Sequence, residues 1–265
     1  MPITRQSKQS STAESSHSSD NIPVAPWLAV IFVLAIYFGS MAIGQIALSV
    51  YPLLQGWSVA RTNIWLNNPI CQFVYVALVE AVTVGFVALF LKSRRLAWSK
   101  IGLVRYKLHD LGVTLLAYPP YFVLNAIVAI AGAALFHVNN SQSQQTGFES
   151  ARSPSDLVFT FISLVVLPPI VEEIVMRGFL FGSLKSRFRV IPAALITSVI
   201  FATAHLQFGS GAPLLWSAAL DTFVLSLVLC YIRQKTGSLW PGIGLHALKN
   251  GVAFFALFIL PKLSS

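Results

Sequence analysis

The sequence predicts an all-α, polytopic membrane protein, and three features of its composition support this fold class. Of its 265 residues, 55% are hydrophobic and only 10% are charged, whereas a soluble domain carries about 25% charged residues. The mean hydropathy is +0.72. The apolar residues also fall into runs of about 20, the length that an α-helix needs to cross a bilayer. We therefore expect about seven transmembrane helices, with the polar residues inside them gathered around an intramembrane cavity.

The chain divides into a polar tail and a transmembrane domain. Residues 1–24 are rich in Ser and have almost nothing to bury, so they predict a disordered cytoplasmic tail ahead of a domain at 25–265. The apolar run from Trp27 is too long for the core of a signal peptide and predicts a spanning anchor. Hydropathy predicts seven spans, at 27–48, 69–91, 111–136, 157–181, 190–208, 213–232 and 239–260.

The distribution of Lys and Arg predicts the orientation of these spans. With the N-terminus in the cytoplasm, 13 of the 18 basic residues lie in inner segments and three in outer ones, while Arg177 and Lys249 fall within spans. Cytoplasmic loops carry such an excess, so we expect a cytoplasmic N-terminus and an external C-terminus. The net charge of +9 is then explained by the basic residues of the inner connections. Since the chain has no basic, aromatic-bearing soluble domain, a nucleic acid is not an expected partner.

One inner connection, Trp98 to Leu108, mixes basic and apolar residues and leaves two readings open. It could lie along the membrane surface as a short amphipathic element. It could equally be a solvated loop whose lysines extend toward the headgroups.

The most informative stretch runs from Leu167 to Phe181, because it is apolar yet carries Glu172, Glu173 and Arg177. An ionisable side chain at bilayer depth costs from ~2.5 to over ~10 kcal/mol, so such residues are rare and usually functional. Glu173 and Arg177 are four residues apart on one helix face and can pair. Glu172 is rotated by about 100° from its neighbour and has no such partner. Pro168-Pro169 should bend this span just before the glutamates.

Two later spans each carry one histidine. Phe201 and His205 share a helix face, and so do His246 and Asn250. Each of these polar residues could merely form a hydrogen bond between helices. Together with an unpaired carboxylate, however, they would supply a base, polar donors and a metal shell if the helices converge.

Two further intramembrane acids, Glu80 and Asp221, have no partner at helical spacing. Hydrogen bonding between helices would explain them, and we assign them no catalytic role.

These residues form a pattern that resembles a known family. Glu-Glu-x-x-x-Arg at 172–177, Phe-x-x-x-His at 201–205 and His-x-x-x-Asn at 246–250 are similar to the motifs of the CAAX prenyl protease and bacteriocin-processing (Abi) intramembrane proteases. The run from Thr236 to His246 also resembles the approach to the family's last motif. The likeness covers about 157–260, the expected protease core, and the first three spans show only compatible hydropathy. Because the family often has eight spans, the resemblance makes eight the alternative to seven.

The resemblance implies hydrolysis of a peptide bond within the membrane. Glu172 and His205 would activate a water, and His246 and Asn250 would stabilise the oxyanion. Glu173, Arg177 and Phe201 would support the site. Expected partners are membrane lipid and a peptide or lipidated protein, whose C-terminus could be prenylated; the oligomeric state is not indicated.

Whether the site holds a metal is left open by the sequence. Members are commonly called metalloproteases, and Glu172, His205 and His246 could form a three-ligand zinc shell. A metal-free glutamate mechanism is also proposed for the family, and the usual zinc-protease pattern His-Glu-x-x-His is absent.

Other functions give different expectations. A catalytically silent immunity or scaffold protein could keep the same core, and then Glu172→Ala would leave its function unchanged. For a protease, Glu172→Ala should abolish cleavage while Glu173→Gln mainly costs stability. A transporter is disfavoured because the sequence lacks matching broken spans in two halves.

One difficulty concerns the depth of the two histidines in the membrane. The expected spans place His205 and His246 on the order of 10–15 Å apart along the membrane normal.

Overall fold

The computed structural model describes residues 22–142, 144–208 and 213–263, and within these ranges all regular secondary structure is helical. We number the helices α1 to α8. Their bounds are α1 Pro26–Leu54, α2 Val59–Leu66, α3 Pro69–Ser93, α4 Leu108–Phe136, α5 Pro154–Leu184, α6 Val190–Ala204, α7 Trp216–Thr236 and α8 Trp240–Leu263. The predicted all-α polytopic class is confirmed.

Six helices in the described part of the chain are long and apolar enough to cross a membrane; α2 and α6 are not among them. The expected span at 190–208 needs correction, because α6 ends at Ala204 after 15 residues. At 1.5 Å per residue α6 is about 22 Å long, shorter than the ~30 Å hydrocarbon core. Apolar residues continue past Ala204 in the sequence, so hydropathy did not mark this end. His205 therefore terminates a short helix.

The first described residue lies within the predicted tail. Most of the predicted tail, residues 1–21, lies outside the described residues. Ile22 is described, however, and it is 1% exposed, with its backbone N–H 3.5 Å from the carbonyl oxygen of Gly182 on α5. Ile22, which the sequence assigned to the tail, is thus packed against α5.

The connection after α3 follows neither of the two predicted alternatives. Residues Trp98–Ile101 form a 3₁₀ turn, and Ile101 is fully buried against α5. At Gly178, on α5, an added Cβ would lie 3.0 Å from the carbonyl oxygen of Ile101. A side chain at this position would require the Ile101 backbone to shift by a few tenths of an ångström, so glycine favours the close approach and the connection is packed into the protein.

Helix α5 is not a uniform α-helix. It consists of α-helical Pro154–Phe161, Leu167–Glu173 and Phe181–Leu184, separated by the π-helical segments Ile162–Val166 and Ile174–Leu180. Helix α8 is similar, with α-helical Trp240–Phe254, π-helical Phe255–Ile259 and α-helical Leu260–Leu263. Short π segments inside α-helices are frequent at functional sites. In α5 they lie on both sides of the two glutamates.

The packing places α5 in the interior of the bundle. Helices α1 and α3 pack together and cover α5 from one side, while α8 contacts α5 and α4 from the other. Helix α7 packs between α6 and α4. Because α5, α6 and α8 meet in this arrangement, the three predicted motifs face a common region.

Candidate active site

Glu172 lies at the end of the middle α-helical section of α5 and faces a cavity of about 350 Å³. Its side chain is 29% exposed. One carboxylate oxygen, Oε2, has no hydrogen-bond partner among the described residues, and it lies 3.7 Å from Nε2 of His246. The sequence predicted a carboxylate without a local counter-ion, and the structure directs that carboxylate into the cavity rather than toward lipid.

Glu173 forms a closed cluster with Arg177 and His246. The Arg177 guanidinium donates to Glu173 Oε1 at 2.9 Å, so the predicted pair is confirmed. Nδ1 of His246 lies 3.3 Å from the same oxygen. The three side chains are at most 4% exposed. The second contact was missed by the sequence, because helical spacing reveals only partners on the same helix. Glu173 therefore positions His246 as well as pairing with Arg177.

The ring of Phe201 on α6 lies at the centre of these groups. The Arg177 guanidinium stacks over it at 4.5 Å from the ring centroid. The ring centroids of His205 and His246 lie 4.8 and 5.9 Å from that of Phe201, both in edge-on geometry. Two histidines that contact one phenylalanine are not separated by the expected axial offset. That expectation assumed that the helix of His205 crosses the whole membrane.

The end of α6 fixes the orientation of His205. The last carbonyls of a helix lack intrahelical partners, and Nδ1 of His205 lies 2.8 Å from the carbonyl oxygen of Phe201. Since a carbonyl can only accept, Nδ1 carries the hydrogen in this bond. In a neutral ring the lone pair is then on Nε2. His205 lines the same cavity as Glu172.

Asn250 on α8 compensates for the two prolines of α5. Leu164 would normally accept from the N–H four residues on in an α-helix or five residues on in a π-helix, but those residues are Pro168 and Pro169. The Asn250 side chain donates to the Leu164 carbonyl at 2.9 Å instead. One amide hydrogen of Asn250 remains for other use. Asn250 thus forms a hydrogen bond between helices, as the sequence allowed, to a carbonyl that the two prolines leave without a backbone donor.

A second cavity of about 260 Å³ adjoins the first, and both are lined by Glu172, His205 and Gln144. Glu80 and Tyr37 face this second cavity. Glu80 therefore lies near the predicted site, which its isolated position in the sequence did not indicate.

The polar loop before α5 contributes Gln142, Gln144 and Thr146 to the wall of the first cavity. Gln142 donates to the Pro213 carbonyl at 2.6 Å, and Gln207 donates to the Gln145 carbonyl at 2.7 Å. Within this loop, partial burial acts to raise the pKa of Glu149. The backbone N–H groups of Thr146 and Gly147 donate to its carboxylate and hold the pKa below its usual value.

Comparison with known proteins agrees with the motif pattern. Residues 154–252 match the model of the family described as type II CAAX prenyl endopeptidase Rce1-like. This segment is Rce1-like. An uncharacterized 24.3 kDa protein of Escherichia coli is 29% identical over 97 residues, which are 36% of this chain and 42% of that relative. The match thus spans less than half of the relative's length. No solved structure gives a significant match.

The Rce1-like segment contains every residue that the sequence predicted for the site, and it covers α5, α6, α7 and most of α8. The likeness to CAAX proteases that the motifs indicated is confirmed over this segment. The Rce1-like family is a family of proteases.

The donor set in the Rce1-like segment does not fit the zinc shell that the sequence left open. A catalytic zinc site needs three protein ligands that converge. Among the residues that the structure describes, no group of three His, Cys, Asp or Glu side chains is arranged to hold a metal ion. Glu172 and His246 approach each other, but His205 does not complete a triad with them.

One polar cluster beside the first cavity was missed by the sequence. Lys249 on α8 forms an ion pair with Asp221 on α7, with Nζ 2.8 Å from Oδ2. The hydroxyl of Tyr121 on α4 donates to the other oxygen, Oδ1. Asp221 and Lys249 line the first cavity. Asp221 thus has the interhelical partners that were expected, but no pattern within one helix identified them.

Proposed function

We propose that this chain is an intramembrane endopeptidase in which Glu172 and His205 activate a water for peptide-bond hydrolysis. The observation that carries the proposal is the position of Glu172. A carboxylate on a membrane helix faces a cavity with one oxygen unpaired, beside two histidines from other helices. General-base groups must reach the proton that they remove, and a water in this cavity could contact both Glu172 and Nε2 of His205.

The step balances with the chain's own residues. Glu172 accepts a proton from the water, and the oxygen of that water attacks the carbonyl carbon of the scissile bond. The tetrahedral intermediate then collapses, the C–N bond breaks, and Glu172 returns the proton to the leaving amine. His205 holds the water through the lone pair of Nε2, which the bond from Nδ1 to the Phe201 carbonyl leaves free.

The oxyanion is stabilised by His246 and Asn250. Glu173 accepts the hydrogen on Nδ1 of His246 and fixes the ring. Nε2 donates to the oxyanion in the doubly protonated ring, in which both nitrogens carry a hydrogen. Asn250 offers its second amide hydrogen from a side chain that its bond to Leu164 has oriented. Donors placed in this way are typically worth about 3–4 kcal/mol each in the transition state.

The proposed substrate is a membrane-associated peptide or lipidated protein, with a prenylated C-terminus as the first kind to test. The predicted orientation, with the N-terminus in the cytoplasm, would place the loop at 137–153 and the cavity mouth on the external side.

The test is cleavage of a synthetic S-farnesylated peptide with a CAAX-type C-terminus by the purified protein in nanodiscs, followed by mass spectrometry. Glu172→Ala should reduce cleavage by at least about 10³-fold, in the range of general acid–base catalysis. Glu80→Gln, which removes a carboxylate from the adjoining cavity, is the matched control and should cleave within a few-fold of wild type. If wild type cleaves no faster than Glu172→Ala and no faster than a protein-free blank, the result would instead favour the non-catalytic immunity or scaffold protein.

A chelator separates the two chemistries that the sequence left open. Because the proposed step uses no metal, cleavage should persist after dialysis against EDTA. Loss of cleavage that added Zn²⁺ restores would contradict this part of the proposal while retaining the protease.

A further inference from the structure

The short helix α2 joins the ends of two helices that are each longer than the membrane core. Helix α1 has 29 residues and α3 has 25, so they are about 44 and 38 Å long, whereas the hydrocarbon core is ~30 Å thick. None of the eight residues of α2 is buried. Three are half-buried and the other five are exposed. Most of α2 is thus open to its surroundings, beyond two helix ends that can extend out of the hydrocarbon.

Three aromatic side chains pack together where α1 leads into α2, a segment that we call the α1–α2 junction (residues 51–66). The ring centroids of Tyr51, Trp57 and Trp65 lie 5.4, 5.8 and 6.0 Å apart in pairs. Tyr51 is exposed and both tryptophans are half-buried. Tyr and Trp are enriched at the membrane–water interface, because their rings are apolar and each carries one polar group. The aromatic cluster therefore indicates that the junction lies at the level of the lipid headgroups.

Arg61 on α2 lies against this aromatic cluster. Its guanidinium stacks over the Trp57 ring, 4.1 Å from the centroid. Among the residues that the structure describes, no carboxylate forms an ion pair with Arg61, and the residue is exposed. A guanidinium that stacks on a ring by its face keeps the N–H groups on its edge for hydrogen bonds, and these match two oxygens of a phosphate. Arg61 is thus a cation that a ring holds in place and that an anion can approach.

Exposed apolar side chains accompany this cation in the junction. Ile64 follows Arg61 by three residues on α2, so the two share a helix face, and Ile64 is 77% exposed. Leu53 and Leu54 at the end of α1 are exposed to a similar extent. A phospholipid combines the two matching features, since its phosphate is joined to acyl chains. A free phosphate ion would use the cation alone and leave the apolar side chains in water.

We propose that the α1–α2 junction binds a phospholipid, with the lipid phosphate on Arg61 and the upper part of the acyl chains against Ile64, Leu53 and Leu54. Basic side chains at a membrane surface attract anionic lipids. A lipid whose phosphate has no ammonium partner of its own should therefore bind best, so phosphatidylglycerol is preferred to phosphatidylcholine. The inference is independent of the proposed peptidase, because the junction does not line the cavity of Glu172.

The experiment titrates the purified full-length protein in detergent with phosphatidylglycerol and counts bound lipids by native mass spectrometry. Basic residues elsewhere bind this lipid in every variant, so the variants are compared with one another. One arginine near the membrane surface contributes about fivefold to lipid affinity, and Arg61→Gln should weaken one binding step by this factor. Arg152→Gln is the matched control and should bind as wild type does. Arg152 lies in the neighbouring loop before α5, where its guanidinium already donates to the carbonyls of Glu149 and Ala151.

Equal binding of phosphatidylglycerol by wild type and Arg61→Gln would overturn the proposal. With phosphatidylcholine the difference between these two proteins should shrink, and an undiminished difference would contradict the preference for an anionic lipid. Soluble glycerol 3-phosphate should not displace the lipid from wild type; displacement that depends on Arg61 would mean a site for free phosphate instead.

Thermal unfolding in the same detergent shows whether Arg61→Gln has kept the fold. If it has not, the comparison passes to Ile64→Ser, which keeps the cation and removes an apolar contact from an exposed position. This variant should also weaken the binding of phosphatidylglycerol. Binding by folded Ile64→Ser at the wild-type level would overturn the placement of the acyl chains.

Discussion

The two adjacent glutamates of α5 lie in contrasting regions of the molecule. Glu173 belongs to the closed cluster with Arg177 and His246. Both of these partners contact the same oxygen of Glu173, and the cluster is shielded from solvent. Glu172 belongs to the cavity wall, where an oxygen stays without a partner. One residue of helical rotation thus separates a charge used for positioning from a charge available for chemistry. The difference teaches that a carboxylate used for positioning is distinguished from one available for chemistry by its hydrogen bonds, and not by burial alone.

The same contrast extends to the cations. Arg177 is fully buried, stacked on Phe201 and bonded to Glu173. Lys249 is partly exposed and lies at the cavity. We therefore expect variants of the closed cluster to change folding first, and variants of the cavity wall to change cleavage first.

The largest effect on folding is expected from Glu173→Gln. It leaves Arg177 buried without its counter-ion, and breaking a buried pair in this way costs about 3–5 kcal/mol. Thermal or denaturant unfolding in detergent measures this loss. Glu172→Ala, in contrast, should unfold close to wild type.

The double variant Glu173→Gln with Arg177→Met sharpens this comparison. Removal of both charges should recover much of the lost stability, whereas cleavage should stay reduced because His246 has lost its ionised partner. Full recovery of cleavage in the double variant would show that the closed cluster serves stability alone.

An intermediate effect is expected from Asn250→Ala. It leaves the part-buried Leu164 carbonyl without the donor that replaces the missing proline N–H groups. A net hydrogen bond of this kind is worth about 0.5–1.5 kcal/mol. Asn250 belongs to both regions, so cleavage should fall as well. Unfolding and cleavage measured on one preparation test this. A loss of cleavage with unchanged stability would mean that the bond to Leu164 contributes little.

The smallest effect is expected in the loop before α5, which contributes to the wall of the first cavity. The pKa of Glu149 is held below its usual value, so its carboxylate stabilises the folded loop above the unfolded pKa of about 4.3. This contribution is lost as the pH falls through the lower, folded pKa. The protection factors of residues 144–150, which are exchange rates corrected for the intrinsic pH dependence, should therefore fall at acid pH. Glu149→Gln should exchange faster at neutral pH and lose the dependence on acid; unchanged exchange would contradict this role.

Much of the architecture could be predicted because hydropathy is a local property. The spans near 69–91 and 111–136 agree with α3 and α4 to within a few residues. The error at α6 has a physical cause: the helix stops at Ala204, although apolar residues continue beyond it. The contact of Ile101 with Gly178 was missed for a related reason, since a loop that looks polar on average can bury a single side chain.

The sequence by itself determined the membrane class, the likeness to CAAX proteases and the pairing of Glu173 with Arg177, because each depends on composition or on spacing along one chain segment. Only the tertiary structure decided that Glu172 faces a cavity, that Glu173 also reaches His246, and that Lys249 pairs with Asp221. These contacts join different helices, and their geometry depends on where a short helix ends and on how the helices pack against each other. Spacing along one helix contains no information about the distance to the next.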